Sequence, residues 1–416
     1  MVSTFYAITG LFNLSASLIW GVNTLFLLGA GLSIFEAFAA NAAFTAGQVV
    51  FEIPTGIVAD TRGRRTSFLL SIATLAVGTA IYVALFVMQA SFLWWLVASV
   101  ILGLGFTFFS GAVEAWFVDA MQATGGPQDL DPYFARSAQV FSAAMLVGTV
   151  TGGLLGSVNL ALPYIARVVL LVALFVVGGA MMHDFGFEKR TFLWRQIPQE
   201  VASVGRASWK HGWQNPPVRL LMMLTFLQMG FLMWGWYAWQ PHFLDLLGRE
   251  LVWVAGLIAA GVAMMMIVGN QLVRIFHKRL TRPTILLLGS TGLAASMLGV
   301  GFSTSFAPAV VSLLIGMLFF GIIGPAKQAA MHRLIPSQQR ATIVSFDGLL
   351  GSAGGVGSQL ALARLTESKG YAAGYIVGGG LLALAIPVAW VFKRLQPRIG
   401  TDEEISGPVE LESSAP

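Results

Sequence analysis

Four ionisable residues lie within long apolar stretches of the chain, where a charge is costly and usually has a function. They are Glu52, Glu114, Lys327 and Asp347. An apolar environment favours the protonated form of a carboxyl group, so an acid there can exchange protons. A lysine there can hold an anionic group or pair with an acid. The predicted chemistry is therefore proton exchange and ion binding, and no cluster of catalytic residues accompanies it.

Glu114 is the first candidate for a proton carrier. If apolar surroundings favour its protonated form, the side chain can take up and release a proton. The alternative is a structural acid that is satisfied by a partner within the amino-terminal part of the chain. Both interpretations are open on the sequence alone.

Lys327 and Asp347 are expected at the same depth in the membrane. Lys327 precedes Arg333, and Asp347 follows Arg340, by similar distances along the chain. At about 1.5 Å per helical residue, both lie roughly 10 Å inside one membrane surface. On adjacent antiparallel helices they would form a static ion pair. The alternative has Lys327 facing a cavity, where it holds an anionic cargo group or exchanges partners with Glu114.

A second pattern places Glu52, Gly56 and Asp60 at four-residue spacing, so the three share one face of a helix. Pro54 is expected to bend this helix. Glu52 is predicted to lie on a gating face, and it is kept as a candidate for proton exchange.

The composition is that of a polytopic membrane protein. Of 416 residues, 56% are hydrophobic and only 10% are charged, with a mean hydropathy of +0.77, whereas soluble domains have about 25% charged residues. The net charge of +5 lies in short loops between apolar stretches, so no nucleic acid is expected as a partner. The chain has no cysteine, and its five histidines lack metal-ligand spacing. No phosphate-binding loop is present, so neither a metal nor a cofactor is expected.

Twelve membrane spans are predicted, because a helix that crosses the bilayer needs about 20 apolar residues. Their ranges are 6–29, 34–59, 66–88, 92–120, 136–158, 162–183, 218–246, 251–275, 283–303, 308–331, 341–364 and 371–393. Of the 24 lysines and arginines, 19 lie in loops and span ends on the side of both termini, so the positive-inside rule places both termini in the cytoplasm. Five bases do not belong to this set. Lys327 lies within a span, and the other four are Arg167, Arg249, Arg364 and Lys369. No cleavable leader is expected, since residues 1–35 carry no charge.

The longest polar stretch divides six spans from six. The predicted units are an amino-terminal six-helix bundle (1–183), a cytoplasmic central loop (184–217), a carboxy-terminal six-helix bundle (218–398) and a disordered acidic tail (399–416). Glycine-rich stretches recur in spans 5 and 11, which indicates an internal repeat. Repeats of this kind bind cargo near the midplane between the two halves.

The turn between spans 2 and 3 resembles a known family signature. Residues 56–65 read Gly-Ile-Val-Ala-Asp-Thr-Arg-Gly-Arg-Arg, which is similar to the signature Gly-x-x-x-Asp-Arg/Lys-x-Gly-Arg-Lys/Arg of the major facilitator superfamily. The matching residues are Gly56, Asp60, Gly63, Arg64 and Arg65. Thr61 departs from the pattern, because a base is usual there. The resemblance implies an all-α membrane protein of twelve transmembrane helices in two pseudo-symmetric six-helix bundles, which transports a small molecule by alternating access.

The resemblance also implies that residues 56–65 form a conformational latch. Asp60 would lie against the start of span 11, where the helix dipole favours an anion, and Arg64 would pair with Asp119 at the end of span 4. Such contacts would exist only while the cytoplasmic side is closed. The alternative is a basic turn that only determines topology.

Shorter phrases, Glu52–Gly56 and Ser110–Trp116 among them, are similar to those of bacterial drug-efflux and uncharacterised members. The proton-relay arginine usual in span 4 is replaced by Ser99, which weakens the case for a proton-coupled exporter. Span 7 lines the cavity in this family, so Trp236 and Gln240 are candidate cargo contacts. The aromatic residues around them would otherwise be interfacial anchors.

The sequence thus predicts a monomeric transporter of a bacterial inner membrane, in contact with the lipid bilayer. The first hypothesis for its function is proton-coupled efflux of small amphipathic compounds, with protons as the coupling ion. The alternatives are an importer or facilitator of a small, anionic solute with Lys327 as its counter-charge, and a polytopic membrane protein that does not transport. No enzyme activity is expected.

Overall fold

The chain is helical throughout the part that the computed structural model describes, which comprises residues 1–127, 129–187, 205–206, 208–248, 251–335 and 339–395. The helices of the first half are α1 (Val2–Trp20), α2 (Asn23–Gly29), α3 (Ile34–Arg62), α4 (Arg64–Met88), α5 (Phe92–Phe109), α6 (Ala112–Ala123), α7 (Asp131–Val158) and α8 (Leu162–Met181). After a π-helical turn at Trp209–Trp213, the helices of the second half are α9 (Pro216–Leu247), α10 (Val252–Phe276), α11 (Arg282–Phe302), α12 (Phe306–Leu334), α13 (Arg340–Lys369), α14 (Tyr371–Ala383) and α15 (Ala385–Leu395).

These helices form the twelve predicted membrane crossings, because α1 with α2, α5 with α6, and α14 with α15 each make one crossing. Among the described residues, eleven helical segments are long and apolar enough to cross a membrane by length and composition. The twelfth crossing, α13, has 30 residues but is rich in serine, threonine and glycine. It packs between α9 and α3, so much of its polar surface lies inside the protein. The predicted fold class, a membrane protein of two six-helix bundles, is confirmed.

The two ends of the helical bundle differ in charge. We call the end at which α1 begins and α15 ends the basic end, since it carries the α3–α4 and α10–α11 turns with their arginines and lysines. We call the other end, where α2 meets α3 and α9 meets α10, the opposite end. The predicted central loop lies largely outside the described residues, as the predicted tail does entirely, so the domain boundaries stay predictions.

Three crossings are interrupted, which the sequence analysis did not predict. Gly111 ends α5 with a φ of +70°, a left-handed conformation that glycine adopts without strain. Pro387 has no amide hydrogen to donate to the carbonyl of Ala383, where α14 ends. The third interruption, at Gly21 and Val22 between α1 and α2, lies next to the candidate functional site.

Each half has its own hydrophobic core. Glycines bring the helices of the first half together: a Cβ added at Gly103 of α5 would lie 2.5 Å from the carbonyl oxygen of Phe44 in α3. The halves meet in the same way where Gly153 of α7 faces Gly256 of α10, with 2.8 Å between an added Cβ and the Gly256 Cα. Small residues of this kind allow close helix packing in membranes.

Candidate functional site

A central cavity of about 310 Å³ lies between the two halves. Its walls come from α1 to α5, α7 and α8, and only Trp236 and Tyr237 of α9 represent the second half. Polar side chains on the wall include Asn13, Asn41 and Gln48. A mostly pre-formed concave site with a few polar groups is the usual form of a small-molecule site. The cavity is therefore the candidate binding site.

Arg167 of α8 is the charged residue on this wall. It is only 3% exposed, and its guanidinium carbon lies 5.8 Å from the centre of the Phe106 ring. Within the described part of the chain, no carboxylate lies within 4 Å of it to form an ion pair. The sequence analysis counted Arg167 only as a base on the far side of the membrane. The signal that could have found it is its place inside a predicted span, the same signal that singled out Lys327.

Hydrogen bonds order the polar wall next to Arg167. Asn23 donates to Asn41 over 2.9 Å, and the Tyr164 hydroxyl donates to the Asn23 carbonyl oxygen over 2.9 Å. Tyr82 and Ser99 share a further hydrogen bond of 2.5 Å. Ser99, which stands where the family usually has a relay arginine, therefore orients a tyrosine of the cavity.

Gln240 closes the cavity at the opposite end. In a continuous helix the Thr24 amide would donate to the Trp20 carbonyl, but α1 and α2 are separate there. The Gln240 side chain takes both places: it accepts from the Thr24 amide over 2.8 Å and donates to the Trp20 carbonyl over 2.9 Å. Thr24 also donates its hydroxyl to the Tyr237 carbonyl over 2.8 Å. We call this group (Trp20, Thr24, Tyr237 and Gln240) the clasp. Gln240 was predicted to contact cargo, and its fully buried side chain lies in the clasp instead.

Other contacts between the halves also lie at the opposite end. The Trp20 and Trp236 rings stack with 4.7 Å between their centres, and the Phe35 amide donates to Glu367 over 3.4 Å. Together with the clasp, these contacts close the cavity at the opposite end.

The predicted latch forms contacts within the first half. Arg64 pairs with Asp60 over 2.8 Å, and its Nε lies 3.7 Å from Asp119, as the sequence predicted. The sequence analysis did not include Asp184, which accepts from the Arg65 amide over 2.8 Å. Gly63 allows this approach through a φ of +107°. These contacts of Arg64 and Arg65 lie within the first half. The role of the latch stays a prediction.

The predicted ion pair of Lys327 and Asp347 is present. The Lys327 ammonium donates to Asp347 over 2.7 Å, and Thr225 of α9 donates to the same carboxylate over 2.5 Å. Lys327 also contacts the Thr225 hydroxyl. The two charged side chains are only 16% and 10% exposed, and neither lines the central cavity. The geometry favours the static pair over a lysine that faces cargo.

The two carboxylates proposed as proton carriers lie apart from the cavity wall. Glu114 begins α6 directly after the Gly111 break, and Glu52 lies on α3; both side chains are exposed. The role of Glu114 and Glu52 as proton carriers stays a prediction. Of the predicted site residues, only Trp236 lines the cavity. Whether a residue lines the cavity depends on the helix face that carries it, and the sequence did not predict that face.

These features define a membrane transporter: two six-helix halves, a cavity between them and closure at one end. A family model of the Major Facilitator Superfamily matches residues 5–359. The chain belongs to this superfamily, and it is a multi-pass membrane transporter and not an enzyme.

The chain is similar to a bacterial transporter and to two solved structures. It is 21% identical to the uncharacterised MFS-type transporter YxaM of Bacillus subtilis over 92% of this chain and 94% of YxaM. The nucleoside transporter NupG superimposes with a TM-score of 0.77 at 10% identity, over 95% of this chain and 98% of NupG. A POT family transporter in complex with a thioalcohol conjugated peptide gives a TM-score of 0.73 at 12% identity, over 96% of each chain. At these identities the two structures support the fold alone.

Replacement of Gln240 by leucine is expected to open the opposite end. The variant leaves the Thr24 amide and Trp20 carbonyl without partners, and each lost hydrogen bond contributes about 0.5–1.5 kcal/mol, so the populations should shift on the order of tenfold. The chain has no cysteine, so cysteines introduced for spin labels are the only ones present. Val87 at the end of α4 and Phe302 at the end of α11 are both exposed at the opposite end, and labels there report the distance between the halves. In Gln240→Leu, the longer distances between the two labels should become more populated than in the unmodified chain.

Gln228→Leu is the matched control, since Gln228 is buried on the same helix but donates to Ser290 within its own half. Its distance distribution should equal that of the unmodified chain. A Gln240→Leu variant with that same distribution would contradict the role of the clasp.

Removing one partner of the Lys327–Asp347 pair should lower the stability of the protein more than removing both. Lys327→Met leaves an uncompensated buried carboxylate, which costs about 3–5 kcal/mol, whereas Lys327→Met with Asp347→Leu should restore most of the stability. Thermal unfolding in detergent measures this difference. A double variant that is stable and still transports indicates a static pair; a stable double variant without transport would instead give Lys327 a role in cargo binding.

Proposed function

We propose that the protein moves a small organic molecule across the membrane by alternating access, with the central cavity as its binding site. The observation that carries this proposal is a cavity closed at one end by the clasp, and we propose that it opens towards the other. Only a change in the contacts between the halves is needed to reverse the access. The binding residues belong mostly to the first half, so the second half would act mainly as the moving wall.

We propose an amphipathic cargo. The rings of Phe44, Phe106, Phe141 and Trp236 provide apolar walls, and asparagine, glutamine and tyrosine side chains provide hydrogen bonds. This mixture supports the amphipathic compounds proposed from the sequence. The alternative, an anionic solute with Lys327 as its counter-charge, has less support, because Asp347 and Thr225 already hold that lysine.

We further propose that protons drive the transport and that cargo leaves the cell. The described cavity wall holds no aspartate or glutamate, so a carboxylate that carries the proton must act from beside the cavity. Glu114 and Glu52 have exposed side chains in the parts of their spans nearer the basic end, and we propose that one of them carries the proton. The distribution of lysine and arginine places that end in the cytoplasm of a bacterial inner membrane. We propose a monomer, because each chain contains a whole cavity.

Filling the cavity is expected to abolish transport. Ala16 lines the cavity and Ala80 is exposed on α4, so Ala16→Trp and Ala80→Trp form a matched pair that adds the same ring. In proteoliposomes with an imposed pH gradient, the unmodified chain should move at least one amphipathic compound among ethidium, tryptophan and p-toluenesulfonate. Ala80→Trp should retain this flux and Ala16→Trp should lose at least nine-tenths of it. Equal flux in both variants would contradict the proposed site.

The same proteoliposomes test proton coupling. Glu114→Gln should abolish accumulation under the pH gradient while cargo exchange without a gradient continues, because only the proton carrier is lost. Accumulation that survives in Glu114→Gln but fails in Glu52→Gln would move the carrier to Glu52. Flux that is independent of pH in the unmodified chain would contradict proton coupling.

A further inference from the structure

We propose that the central cavity binds organic anions and that Arg167 recognises the anionic group. This inference rests on the proposed function, because it names the chemical class of the cargo. It also replaces Lys327 as the counter-charge of such a cargo.

The buried side-chain atoms without a partner among the described lining residues of the cavity are all hydrogen-bond donors. Among the described residues, three lining side chains have a buried nitrogen without a partner: Nε1 of Trp20, Nδ2 of Asn41 and Nε of Arg167. Buried polar groups are normally paired, and each exception requires an explanation. Three donors around one cavity require a ligand that brings acceptors. A carboxylate, sulfonate or phosphate group provides several acceptor oxygens at once.

The neighbouring hydrogen bonds explain why donors are left over. Asn41 uses its carbonyl oxygen to accept from Asn23, and Asn23 uses its own to accept from Tyr164. Each of these two carbonyl oxygens thus has a donor within the protein, while the Asn41 amide nitrogen has no partner. This part of the wall therefore favours an acceptor group on the ligand.

The charge of Arg167 points to the same class of ligand. Other basic side chains of the helical bundle have acids beside them, as Arg64 has Asp60 and Lys327 has Asp347. Arg167 is only 3% exposed. In the described part of the chain its guanidinium lies beside the ring of Phe106, and no carboxylate lies within 4 Å of it. A buried charge without a partner is strongly unfavourable. An anionic cargo would supply the missing partner, and a planar guanidinium binds carboxylates and phosphates through two hydrogen bonds.

The rest of the wall suits the organic part of such an anion. Phe44 and Phe106 meet edge to face with 5.4 Å between ring centres, and Trp236 stacks on Trp20. Trp20 lines the cavity, has a buried ring nitrogen without a partner and provides a carbonyl to the clasp. An anion that contacts the Trp20 ring therefore touches a member of the clasp, so its binding can influence opening.

The experiment compares anions with neutral isosteres of the same shape. The probes are benzoate with benzamide, p-toluenesulfonate with p-toluenesulfonamide, and indole-3-acetate with indole-3-acetamide, titrated against the full-length purified chain by thermal shift and calorimetry. At least one anion should bind tenfold or more tightly than its isostere. Arg167→Gln should lose this preference and Arg167→Lys should keep part of it. Arg136→Gln, which removes an exposed arginine of α7, should keep all of it.

Anions that bind no better than their isosteres, in every pair, would overturn the proposal even if Arg167→Gln does not fold. A preference that survives in Arg167→Gln would also overturn it. The proposed function would stand separately if neutral compounds bind and Ala16→Trp removes that binding. Binding and flux that both survive Ala16→Trp would overturn the proposed function together with this inference.

Discussion

A polar group in the hydrocarbon part of a membrane must find its partner within the protein, and the arrangement of this molecule follows from where those partners lie. Lys327 finds Asp347 within its own half. The interrupted helix at Trp20 and Thr24 finds Gln240, which belongs to the other half. Arg167 finds no carboxylate in the described part of the chain. These three cases correspond to a fixed bundle, a movable contact and a binding site.

The location of a partner determines what can change during transport. Contacts within one half, such as Arg64 with Asp119, persist when the halves move as rigid bodies. Contacts between the halves must break and re-form for the proposed change of access, and the Gln240 side chain makes two of these contacts. Opening it exposes a backbone amide and a carbonyl that the helix itself cannot pair. The interrupted helix thus makes the closed state depend on a residue of the other half.

The sequence predicted much of the fold because hydropathy and charge act along the chain. The spans follow from hydropathy, and the pair of Lys327 and Asp347 follows from spacing. It failed where packing decides which face a residue presents: Gln240 faces the α1–α2 break, and Glu114 is exposed. Arg167 was missed because its side of the membrane was considered and its depth was not. The Gly111 break depends on a backbone conformation that many glycines do not adopt.

The most direct test of the account is the side from which the cavity can be reached. A single cysteine at Gln48, on the cavity wall, can be labelled with a membrane-impermeant maleimide in inside-out and right-side-out vesicles. A second single cysteine, at the exposed Lys393 near the end of α15, identifies the vesicles that present the basic end. The account predicts that Gln48→Cys reacts at least tenfold faster in those vesicles. Equal rates in both preparations, or faster labelling from the opposite end, would contradict it.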